Sequence, residues 1–264
     1  GDTPTSTIPD APGDVSAAQA EWRHPVAVAL SADDRWLYVA CRRSASLAVI
    51  DLDSDKEESL AVHRLGGRPE AMATLTTGEL AIADGRRDCV HLLAMDGARI
   101  LRIRKVWVGC DPRQLVSSRL GSTVWISVRG DRSIVALDGA GGQVLYRCQF
   151  AFAPHCLALD PQERWLLAAD AFQGNVAALD PRSGSVLAMH AFPGTNIRGL
   201  SFEPDGTHFA FVHQIVSERS VIEREQVRWG AFITNNVRRV PIDVFLSDTP
   251  NATKRSELQF IGDF

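Results

Sequence analysis

Histidine, aspartate and arginine stand at two recurring places in this chain. The first is the entry to an apolar strand, on either side of a proline or its substitute, and holds His24, Arg68, Asp111, Arg113, His155 and Arg198. The second follows another apolar strand and holds Cys41 with Arg42 and Arg43, Asp84 with Arg86 and Arg87, Arg129 with Asp131 and Arg132, Asp170, and His213 with Gln214. Such residues support two kinds of chemistry. Imidazole and carboxylate from neighbouring segments could converge on a metal ion, for which His155, Asp170 and His213 are the candidates. Guanidinium groups fork onto carboxylates and phosphates. Against the metal stands a plainer role, in which each His or Asp bonds backbone groups at a strand end.

The elements that must position these groups form a repeat. The first copy reads Pro25 to Ser31, a polar turn, Trp36 to Cys41, then Leu47 to Asp51; the Pro recurs at Pro69, Pro112 and Pro154 and gives way to Ile197, in steps of 44, 43, 42 and 43 residues. Each apolar block of four to six residues, rich in β-branched and aromatic types, reads as a strand. The first hairpin turns at Ser31–Asp34, Thr76–Gly78, Leu120–Ser122, Asp160–Glu163 and Glu203–Gly206, where Pro presets φ, Gly accepts positive φ and Asp bonds its own backbone. The third strand closes on Asp51, Asp96, Asp138, Asp180 and Asp243, which read as turn carboxylates, and a fourth apolar stretch follows, as in Ile100–Ile103. Four antiparallel strands at this period make the blade of a β-propeller. Helical repeats would need three- and four-residue apolar spacing that no copy offers, and a sandwich requires no fixed period. The expectation is an all-β chain, with a leader over 1–23 and blades over 24–67, 68–110, 111–153, 154–195 and 196–264.

The tract Trp36-Leu37-Tyr38-Val39-Ala40-Cys41, with Pro25–Ser31 before it and Ala48-Val49-Ile50-Asp51 after it, resembles the YVTN family of β-propeller repeats. The resemblance covers residues 24 to 213, with a weaker tail through Asp243; copies two to five vary the tetrad, as Ala81-Ile82-Ala83-Asp84 and Leu167-Ala168-Ala169-Asp170. It implies an exported protein, periplasmic or at the cell surface, acting as a binding module. It also implies a propeller of about seven blades, so that five blades here read as a piece of a larger ring, with Gln259–Phe264 as a strand leading onward. Some members are joined to c-type cytochrome or peroxidase-like domains, and Arg228 to Asn236 looks like an insertion found in such proteins. A redox protein is the partner this implies.

Composition narrows the rest. The formal charge of −4, with Arg spread over every blade, excludes a polyanion-binding stripe and makes nucleic acid an unsuitable partner. No run of eighteen apolar residues is present, so no helical membrane span is expected, and the start carries no signal peptide. Cys41, Cys89, Cys110, Cys148 and Cys156 show no metal-ligand spacing and no Cys-x-x-Cys-His, so no covalent c-type haem and no cofactor is expected. Cys89 and Cys110 could approach one another in a disulfide, although small buried hydrophobes are the simpler reading of all five.

The fifth copy breaks the rule. Its closing Asp243 lies 63 residues after Asp180 rather than 42 to 45, which places an inserted loop at about 214–237 that contains Arg228 and Trp229. Loops on rigid scaffolds carry function. The sequence therefore points to a non-catalytic binding propeller whose face is formed by His24, Arg68, Asp84, Asp111, Arg113, Arg129, His155, Asp170, Arg198, His213, Arg228 and Trp229. The alternative is a metal-dependent lactonase-like hydrolase at the axial channel, which would need converging ligands.

Overall fold

A computed structural model describes residues 24–54, 59–216, 233–247 and 255–262. The expected leader and residues 217–232 of the expected insertion, with Arg228 and Trp229, lie outside the described residues. The first twelve strands form three four-stranded antiparallel sheets in chain order. They are β1 Pro25–Leu30, β2 Trp36–Cys41, β3 Ser46–Asp51 and β4 Ser59–Arg64, then β5 Pro69–Thr74, β6 Leu80–Asp84, β7 Cys89–Asp96 and β8 Arg99–Trp107. The third sheet holds β9 Pro112–Ser117, β10 Thr123–Val128, β11 Ser133–Asp138 and β12 Val144–Gln149.

The remainder is one seven-stranded sheet of β13 Pro154–Leu159, β14 Leu166–Asp170, β15 Gln173–Leu179, β16 Val186–Phe202, β17 His208–Val216, β18 Ile233–Pro241 and β19 Glu257–Gly262. The 17-residue β16 serves two blades, its first part pairing with β15 and its last with β17. No chain break therefore separates blades four and five. One expectation changes here. Asp243 closes no strand, because Pro241 offers no N–H to continue the ladder and the chain enters a five-residue helix, α1 Ile242–Leu246, whose Phe245 packs edge-on against Phe209. The tail forms a strand: β19 pairs antiparallel with β18, Leu258 opposite Arg238, as the fourth strand of blade five.

Central strands are buried on both faces, which explains why they read as continuous apolar runs rather than alternating ones. In β6, Leu80 and Ile82 join the core shared with Tyr38, Leu47 and Val49 of blade one. Ala81 and Ala83 face the other way, into the core with Val124, Ile126 and Val128 of blade three. The pattern repeats at β10 and β14, where Trp125 meets Leu166 and Ala168 while Leu167 and Ala169 meet Phe209 and Phe211. Large side chains thus interdigitate with small ones across each blade interface. Deleting one fully buried member such as Ile126 would cost about 2–5 kcal/mol.

The first strand of every blade borders one space. A funnel of about 990 Å³ is lined by Leu30, Leu75, Leu115, Leu157 and Leu200, one from each blade, at the end bearing the first hairpins. There Thr76 donates to Gly121 O at 2.8 Å and Ser117 to Thr74 O at 3.1 Å, tying neighbouring blades together. The closing carboxylates behave as turn anchors. Asp138 accepts from Ser122 Oγ at 2.6 Å and Gly141 N at 2.8 Å, and Asp180 from Arg182 N at 2.9 Å, and these bonds help hold both below the usual carboxylate range. All five cysteines are free thiols. Cys41, Cys89 and Cys156 are buried and Cys110 is exposed, so the Cys89–Cys110 bridge is not formed.

Candidate functional site

The opposite end of the channel carries the strand entries and the loops between second and third strands. Antiparallel pairing brings these two sets together: Pro25 lies opposite Cys41, Pro69 opposite Asp84, Pro112 opposite Val128 and Pro154 opposite Asp170. The residue just after each entry position falls where the register with the second strand shifts, and across the blades it is Val26, Glu70, Arg113, His155 and Arg198.

Four arginines converge on two carboxylates at this mouth. Glu70, almost wholly buried, contacts Arg42 and pairs with Arg113 at 3.1 Å and with Arg68 at 2.6 Å, the last off the N–H axis. Asp111 pairs with Arg68 at 2.8 Å, Arg113 at 3.0 Å and Arg129 at 2.7 Å. Its backbone sits at φ +59°, a conformation that costs a non-glycine residue energy and is held by surrounding structure. Asp111 N is fixed by Asp88 Oδ1 at 3.0 Å, while its carbonyl accepts from Arg129 N at 3.1 Å.

Arg198 adds a further cation that, among the described residues, forms no ion pair. Its Nη1 lies 3.1 Å from His155 Nε2, which accepts the bond as a neutral imidazole. Burial, then Arg198, Arg129 and Arg113, push the His155 pKa down to about 4, against a weaker opposing pull from Asp111. The mouth therefore carries a positive potential that two carboxylates leave uncancelled. Beside it, a groove of about 370 Å³ runs between blades three and four, bordered by Arg129, Arg132, Phe152, Phe172 and Gln173. Phe172 is 63% exposed, and the Arg129 guanidinium lies 5.9 Å from its ring centre.

Of the residues expected at the site, Arg68, Asp111, Arg113 and Arg129 meet in one network, His155 and Arg198 adjoin it, and His24 borders a neighbouring recess. Asp84, Asp170 and His213 turn into their blades and are buried. Asp84 Oδ1 accepts from the backbone N–H of Arg68, Arg86 and Arg87 at 2.8, 3.0 and 3.1 Å. Asp170 accepts from Phe172 N at 3.0 Å and Asn175 Nδ2 at 2.8 Å. His155, Asp170 and His213 thus do not converge on one point. Among the described residues, the one cluster with metal-ligand atoms together is Asp84, Cys89 and His91, all buried, with His91 Nε2 3.0 Å from Asp84 Oδ2.

Sequence reasoning missed Glu70, the anchor of the network. Its signal was present: it is the one acid at a position where other copies carry Val, Arg or His. Arg42, on the loop after the second strand, is partly buried against Glu70.

No family model matches the chain, and no curated protein matches it. Among solved structures, Kuenenia stuttgartiensis hydrazine synthase superposes with a TM-score of 0.74 at 19% identity, over 94% of this chain and 69% of that one. The fold is that of a β-propeller. At this identity the likeness is one of fold, and the propeller's chemistry rests on its own residues. No helix among the described residues is long and apolar enough to cross a membrane.

Proposed function

We propose that this chain is a non-catalytic binding propeller of an exported protein, which recognises a protein partner through the channel-mouth face. The observation that carries this reading is the exposed Phe172 beside Arg129, on the face where Arg198 bonds His155. An exposed aromatic flanked by oriented guanidinium groups is the composition of an interface anchor. The surrounding Glu70 and Asp111 pairs pre-orient Arg113 and Arg129, so binding would order few side chains anew. The YVTN-like tract in blade one supports export, and the cytochrome- and peroxidase-linked proteins of that family support a redox protein as partner.

The test is affinity capture from an extract of the source organism, with wild type compared against Arg129→Gln/Phe172→Ala/Arg198→Gln. A saturable partner retained by wild type and lost by the triple variant supports the reading, and Soret absorbance in that fraction identifies a haem protein. Equal capture by both forms overturns it.

A further inference from the structure

We propose that the recess between blades one and two is an anion site for a phosphate-type, multiply charged tetrahedral oxyanion. This deepens the reading of the channel-mouth face as the binding face, although it stands on different residues. The recess has a volume of about 480 Å³ and is lined by His24, Arg42, Arg43, Gly67, Arg68 and Arg86. Four of its lining residues are arginines, and among the described residues that line it none is acidic.

These arginines fall into two pairs. Arg42 and Arg68 are held from behind by the buried Glu70, and Arg68 Nη2 is further fixed by Asp111 at 2.8 Å and by Gly85 O at 3.1 Å. Their charge is pre-positioned and half exposed. Arg43 and Arg86 are exposed, and among the described residues neither side chain makes a hydrogen bond or ion pair. One pair is therefore a fixed floor, and the other is free to close over a ligand. Glu70 lies behind the floor, so its charge offsets part of the field without occupying the recess.

The disposition of the four groups selects the ligand's shape. They come from two directions, Arg42 and Arg43 from the β2–β3 loop, Arg68 and Arg86 from the entry and β6–β7 loop of blade two. A planar carboxylate presents its oxygens along one side, whereas a phosphate presents them in every direction and carries up to two charges. The recess also has room for what bears the phosphate. The chain follows a tight path past this space: Gly66 and Gly67 lie at φ +69° and +79°, and a Cβ on Gly67 would overlap the Asp84 carboxylate.

The test is calorimetric titration of the full chain with inorganic pyrophosphate, with a phosphoserine peptide and its unphosphorylated form, and with citrate. The expected result is one pyrophosphate per chain, bound at least tenfold more weakly by Arg43→Gln/Arg86→Gln, with Arg182→Gln on the opposite end as an unchanged charge control. Affinity should fall steeply with salt. Binding of the phosphoserine peptide alongside pyrophosphate would place the phosphate on a partner; binding of pyrophosphate alone would make the ligand a free one. Both results uphold the site. Absence of pyrophosphate binding, equal binding by the double variant, or citrate binding as tightly as pyrophosphate overturns the proposal. If partner capture depends on Arg129, Phe172 and Arg198 while pyrophosphate fails to bind, this inference falls and the partner reading stands.

Discussion

Blades two and five place polar side chains at the same register positions and solve their burial in opposite ways. In blade two the last residue of the second strand, Asp84, pairs in register with Cys89, and His91 follows two residues on. In blade five the equivalent set is His213, opposite Asn236, followed by Arg238. Blade two thus joins an acid to an imidazole, and each Asp84 oxygen is satisfied. Burial alone would raise Asp84, yet the bonds from His91 and three backbone N–H groups outweigh it and hold its pKa at about 2. Blade five joins two bases. His213 is 1% exposed with neither ring nitrogen hydrogen-bonded, and burial together with Arg238 pushes its pKa down to about 4. One polar set supports the fold, and the other stores a cost in the blade that carries the insertion.

Removal of Asp84 should have the largest effect. Asp84→Ala leaves three backbone N–H groups and His91 buried without acceptors, so it should destabilise the protein by about 3–5 kcal/mol in urea unfolding. His213→Phe keeps an aromatic ring at this buried position and removes two unmet nitrogens, and should be neutral or stabilising. If both substitutions cost the same, the contrast between the blades is wrong.

Acid should separate the two blades next. A histidine whose folded pKa lies below its unfolded value near 6.5 takes up protons on unfolding, so stability falls as pH drops from 6.5 and levels off below about 4. The loss from His213 should be about 3 kcal/mol at the end of that window. Asp84 acts lower: its stabilisation is complete above the unfolded value of 3.8 and is lost as pH falls toward 2. Blade five should therefore exchange its amides first and blade two last. The check is hydrogen exchange between pH 7 and pH 3 in a His155→Gln background, since His155 titrates in the same window. A blade-five profile unchanged by His213→Phe would break the assignment.

The propeller was legible because its period, turn residues and apolar blocks are local signals, repeated enough times to exclude other folds. The mouth was half legible. Side chains beside the entry proline, such as Arg113 and His155, can be placed by register alone. Whether a polar group at a strand end faces the channel or its own blade depends on what it meets, so Asp84 and Asp170 read as site residues and proved to be turn acceptors. Glu70 escaped notice because its role appears only when three arginines from two other segments and its own meet it. Asp243 misled for the opposite reason: the expected letter fell near the expected place, but Pro241 had already ended the strand.

Two glycines offer a smaller test of the same contrast. Gly67 at φ +79° packs against the Asp84 carboxylate, and Gly194 at φ +127° packs against the His213 ring. Alanine at either position meets unfavourable φ and a clash, at a cost above about 1 kcal/mol. Gly67→Ala should cost more, since it disturbs an acceptor with four donors, whereas His213 has no bonds to lose. Thermal melts of the two variants should rank in that order, and the reverse order would mean that the His213 ring is the more tightly held.

The smallest effect is expected at Cys89, where it decides what the blade-two cluster is. The Cys89 thiol lies 3.7 Å from His91 Nε2, and burial, with Asp84 nearby, pushes its pKa up to about 11. A thiol in that state is a small apolar side chain with a weak hydrogen bond. Asp84 and His91 already satisfy each other, and the Arg87 and Lys105 charges that bear on Cys89 oppose entry of a divalent cation. Cys89→Ala should therefore cost about 1 kcal/mol or less, and added Zn²⁺ should leave the melting temperature of wild type and variant unchanged. A metal held by Asp84, Cys89 and His91 would behave otherwise, because loss of one ligand then removes binding energy that stabilises the fold. A rise in melting temperature with Zn²⁺ that disappears in Cys89→Ala would turn blade two from the self-satisfied member of the pair into a metal-completed one.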